Sequence, residues 1–139
     1  MDEQAILNRI RDYQNRIDNN NTKIYKLKES CENVQQIRGK LYNSQEQLGE
    51  YRQSERNKAN SMRGSFKNVK FVQLFSDVLE QAADDTDALR AEKGIYDSID
   101  AANRRLDELS NQIDELESDN AYCSNRIDDL RYELSRNGD

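Results

Sequence analysis

Residues 102–134, ANRRLDELSNQIDELESDNAYCSNRIDDLRYEL, decide the fold. Within them Ala102, Leu106, Leu109, Ile113, Leu116, Asn120, Cys123, Ile127, Leu130 and Leu134 recur at alternating spacings of four and three. That alternation is the a/d seam of a coiled coil, a stripe along one narrow side of a helix. The first half of the chain repeats it. Ile6, Ile10, Tyr13, Ile17, Asn20, Ile24, Leu27, Cys31, Val34, Leu41 and Leu48 keep the same phase, with Arg38 and Gln45 filling two polar gaps. Two such blocks, parted by one short break at Asn60-Ser61-Met62-Arg63-Gly64-Ser65, predict an all-α fold: a long antiparallel helical hairpin bent near residues 60–66. A single domain is expected, with helix one over residues 3–58, the bend over 59–65 and helix two over 66–136.

Composition fits an elongated molecule. Of 139 residues, 35% are apolar and 35% charged, too few apolar groups to wrap a thick core, and proline, the commonest helix breaker, is absent. No apolar run approaches the roughly 18 residues that span a bilayer. The opening Met1-Asp2-Glu3-Gln4 lacks the basic and apolar regions of a secretory signal, so synthesis and folding in the cytoplasm, without membrane insertion, are expected.

The net charge of −6 conceals an asymmetry. Residues 1–37 carry six basic and six acidic groups, residues 38–70 eight and three, and residues 71–139 seven and eighteen. A basic bend could meet phosphate, but no aromatic array is interleaved with it, and the acidic second helix would repel a duplex. Nucleic acid is therefore not an expected partner. Histidine is absent, no glycine-rich phosphate loop occurs, and no nucleophile has a base beside it. A non-enzymatic protein without cofactor or metal is expected.

Several local features follow from the hairpin. Asp2 is placed to cap the first helix, and Ser65 the second. Gly64, free to adopt positive φ, marks the turn, whereas Asn19-Asn20-Asn21-Thr22, Gly39 and Gly49 are places where helix one could bend. With the turn near residue 63, the seam residues Asn20 and Asn120 lie at unequal distances from it and are not expected to meet. Helix two would then outrun helix one, so that either its end overhangs, exposing Leu130 and Leu134, or helix one is not straight. Cys31 and Cys123 would sit roughly 40 Å apart at 1.5 Å per residue, too far for a disulfide, and read as small seam residues.

One segment asks for a partner. All three phenylalanines, Phe66, Phe71 and Phe75, fall within ten residues, accompanied by Val69, Val72, Leu74, Val78 and Leu79. On a helix these side chains cover more than the stripe one neighbouring helix can hide. Another helix must cover the remainder. The candidates are the first helix folding back locally, a different helical protein, or a second copy of this one in a homodimeric coiled-coil scaffold.

At Met62-Arg63-Gly64-Ser65-Phe66, flanked by long helical blocks, the chain resembles the small YwqH-like helical proteins of Gram-positive bacteria. These are relatives of the WXG-type proteins of type VII (ESX) secretion and are encoded beside toxins bearing an LXG domain. Where such proteins often carry Trp-X-Gly, this one has Met62-Arg63-Gly64. The resemblance implies an accessory that binds the helical LXG domain of a toxin as targeting factor or chaperone, alongside a second small helical protein, with export through type VII secretion in the partner's company. It places the contact at Met62, Gly64, Phe66, Val69, Phe71, Val72, Phe75 and Leu79. The Tyr-X-X-X-Asp/Glu export pattern occurs at Tyr25/Glu29, Tyr42/Glu46, Tyr51/Glu55 and Tyr96/Asp100, none in a tail after the final helix, and no export role is assigned to these residues.

Overall fold

The computed structural model describes residues 2–65 and 70–137, with Ser65 and Phe71 described by their backbone alone. It is all-α, a helical hairpin built from α1 (Glu3–Ser65), α2 (Lys70–Ala83) and α3 (Thr86–Asn137). Asp2 caps α1 as expected: the Ala5 backbone N–H donates to its carboxylate at 2.7 Å. Among the described residues, no helix is long and apolar enough to cross a membrane.

The chain divides into two compact units. Met1–Val34 with Arg105–Asp139 form the first, and Gln35–Arg104 the second. In the first, α1 and α3 run antiparallel around Ile6, Ile10, Ile127 and Leu130, with Tyr13, Ile17 and Leu134 packed against them. Ile24, Leu109 and Cys123 are also buried along this seam. Both cysteines are free, and burial pushes the Cys123 thiol up from its ordinary range. Tyr13 and Tyr122 meet edge to face with ring centroids 6.3 Å apart.

A polar layer interrupts the apolar seam. The Asn20 amide, on a buried residue, donates to Asp119 at 2.7 Å and to Asn120 at 3.0 Å, and Asn120 donates to Asn21 at 2.9 Å. Arg16 completes the layer through Nε to Asp119 at 2.8 Å. Arg16 first, and Asn20 second, hold the Asp119 carboxyl below the usual carboxylate range. The expectation that Asn20 and Asn120 do not meet is thus overturned. They are equidistant from Lys70, not from residue 63, because α1 continues for about two more turns than the break in the sequence suggested. The same displacement removes the overhang: Leu130 is buried against Ile6 and Ile10.

Four further expectations are corrected by that continuation. Residues 59–65, read as the bend, are helical, and the connection to α2 falls at residues 66–69, outside the described residues. Gly64 has no positive φ. Ser65 ends α1 instead of capping the second helix. Helix two does not run unbroken, but stops at Ala83 and restarts at Thr86. The continuation of α1 has a physical cause in its seam, since Ala59 and Met62 prolong the heptad phase of Leu48 and reward continued pairing with α2. Asn19–Thr22, Gly39 and Gly49 all lie within uninterrupted helix.

Candidate partner-docking site

In the α1–α2 pair of the second unit, the fully buried side chains among the described residues are small. The seam of α2 consists of Val72, Ser76, Leu79 and Ala83, which are buried or half-buried. The two fully buried members are small: Ser76 and Ala83, matched on α1 by Ala59 at 1% exposure. Small residues allow two helix backbones to approach closely, and the Ser76 hydroxyl is satisfied within its own helix by donating to the Val72 carbonyl at 2.8 Å. Three large apolar side chains are exposed. Leu74 is 57% exposed, Phe75 45% and Val78 58%.

Of these three, Phe75 borders a groove between α1 and α2 of about 820 Å³. Met62, Phe75 and Leu79 supply its apolar lining, and Glu50, Gln53, Ser54, Asn57, Lys58 and Ser61 of α1 supply its polar wall. The other side of the same helix pair carries ion pairs. Arg63 reaches Asp77 and Glu80, and Arg56 reaches Asp84. Arg52, only 15% exposed, engages three groups: Nε donates to the Ala83 carbonyl at 2.8 Å, and its terminal nitrogens meet Glu92 and Asp84. The helix pair is therefore two-sided, greasy and open along one edge, salt-bridged along the other.

Arg52 has an identifiable structural task. The last carbonyls of α2 lack partners within the helix, and a guanidinium supplies one from across the pair. Asp84 gains two cations, Arg56 before Arg52, which hold its carboxyl well below the usual carboxylate range. Arg63 is correspondingly shifted upward, by Asp77 first and Glu80 second.

Of the contact residues expected from sequence, Met62, Phe75 and Leu79 come together on the groove, and Val72 lies half-buried on the seam. Gly64 is exposed on α1, where a Cβ would meet nothing within 4 Å. Phe66 and Val69 lie outside the described residues, as does the side chain of Phe71. The polar wall from Glu50 to Ser61 and the arginine row were not anticipated. Their signal was present as helical spacing flanking the seam, with Arg56 and Arg63 one heptad apart. Among the described residues, no group of three or more His, Cys, Asp or Glu is arranged to hold a metal ion. No family model, no curated protein and no solved structure matches this chain.

Proposed function

We propose that this protein is a non-enzymatic helical accessory that binds another helical protein through the open edge of the α1–α2 pair. The reading is carried by the exposure pattern of the α1–α2 pair: among its described residues Ala59, Ser76 and Ala83 are buried while Leu74, Phe75 and Val78 are exposed. A helix laid in the groove would place its own apolar stripe against Met62, Phe75 and Leu79, while Val78 and Leu74 are exposed farther round α2. The partner is the LXG domain of a type VII secretion toxin, for which this protein serves as targeting factor or chaperone, and a second small helical protein joins the complex. That identity rests on the resemblance at Met62-Arg63-Gly64-Ser65-Phe66. On the same reading the protein acts in the cytoplasm and leaves it only with its partner.

Calorimetric titration with a purified LXG domain tests this. Phe75→Ala combined with Val78→Ala should cost at least about 2 kcal/mol, or roughly 30-fold in affinity, if the pair anchors the interface. Unchanged affinity would reject the α2 face. Absence of binding, together with a single well-defined dimer of the free protein in light scattering, would favour the homodimeric scaffold instead.

A further inference from the structure

The non-helical pair Asp84-Asp85 separates two seams that are out of step. Val72, Ser76, Leu79 and Ala83 lead on one side to Ala88, Glu92, Ile95 and Ile99 on the other, and five positions separate Ala83 from Ala88 where a continuous heptad allows three or four. The interruption therefore frees the rotational setting of α2 from that of α3. Alpha-helical residues are set about 100° apart, so turning α2 by one residue would replace Ser76, Leu79 and Ala83 on the seam by Phe75, Val78 and Ala82. That second face is at least as apolar as the one in use. Hydrophobicity alone does not explain why the smaller set is turned inward.

The arginine row does. Arg63 holds Asp77 and Glu80, and Arg56 holds Asp84, while Arg52 takes the end of α2 through the Ala83 carbonyl and ties it to Glu92 of α3. A one-residue turn of α2 would carry Asp77 and Glu80 away from Arg63, since acids placed at the flank of the seam move with the helix. We propose that Arg56 and Arg63 act as a clasp that selects the rotation of α2 in which its apolar face is displayed, making α2 a two-position element with an open and a closed setting. In the closed setting Phe75 and Val78 lie against α1. The consequence for partner binding rests on the docking role proposed above, but the rotation itself does not.

The chain contains no tryptophan, so Phe75→Trp supplies a single indole on the displayed face, excited selectively over the seven tyrosines at the red edge of absorption. In otherwise unaltered protein, acrylamide should quench it as a half-exposed residue. Adding Arg56→Gln and Arg63→Gln, which keeps helix propensity, should shift its emission to shorter wavelength. Quenching should fall roughly three-fold, as for a side chain moving from a half-exposed to a core position. The helical ellipticity should stay unchanged. Unaltered or increased quenching would overturn the proposal, and so would loss of ellipticity, because a clasp that only selects a rotation is dispensable for folding. Arg56→Lys and Arg63→Lys in place of the glutamines, which return the positive charges, should recover most of the exposure. No partner enters this experiment, so its failure leaves the calorimetric test of docking intact, and the converse also holds.

Discussion

In an ordinary helical pair, deleting a large apolar side chain costs more than enlarging a small one, and in the second unit the order should invert. Ala59 is 1% exposed on the α1 seam, in the unit whose α2 seam carries Ser76 and Ala83. Ala59→Leu adds three heavy atoms at a position already sealed from solvent, and overpacking of this kind costs about 1–3 kcal/mol. Leu74 is 57% exposed, so less than half of its transfer free energy is realised in the fold. With about 1.5–3 kcal/mol for a fully buried leucine, Leu74→Gln should cost at most about 1 kcal/mol, and glutamine matches leucine in helix propensity. Urea unfolding followed by far-ultraviolet circular dichroism measures both. For a chain of this size, each kcal/mol corresponds to about 3–4 °C in melting temperature, so thermal unfolding gives an independent check. A Leu74→Gln variant destabilised by about 2 kcal/mol or more, or an Ala59→Leu variant of unchanged stability, would refute this exposure pattern.

Gly64→Ala should stabilise the protein by about 0.5–1 kcal/mol, since Gly64 is helical and a Cβ there meets nothing; destabilisation in the same urea assay would restore Gly64 to a turn. Asn20→Ala should cost about 1–3 kcal/mol by stripping a donor from Asp119 and Asn120. Asp84 and Asp119 have carboxyl groups depressed in the fold by their arginines, so their contribution is present above the unfolded pKa and lost as pH falls through the folded one. The melting temperature should therefore decline below about pH 4, and the Asp84→Asn, Asp119→Asn double variant should decline less steeply; parallel curves would contradict the assignment.

The architecture was legible because seam residues at four-and-three spacing leave few alternatives: Ile6, Ile10, Leu109, Ile127 and Leu130 occupy the interior their spacing assigned. The turn was placed too early because Asn60, Ser61 and Gly64 are weak helix formers, and pairing of Ala59 and Met62 overrode that weakness. That error of about two turns propagated into the register and concealed the Asn20–Asn120 contact. The break at Asp84-Asp85 left a trace in the sequence, a seam spacing of five, that is easily read as a polar surface. The aromatic-rich start of the second block was recognisable as excess apolar surface. Which part of it faces outward depended on Ser76 and Ala83 taking the seam, and a preference for small residues at a close helix contact is visible only once the two helices are in register.

Hydroxyl-radical footprinting of Leu74, Phe75 and Val78, alone and with an LXG domain, tests the central claim most directly. The free protein should be modified readily at all three, and the complex should protect them while leaving Tyr25 and Tyr132, exposed in the first unit, as reactive as before. Slow modification in the free protein, or undiminished modification in the complex, would contradict a docking role for α2.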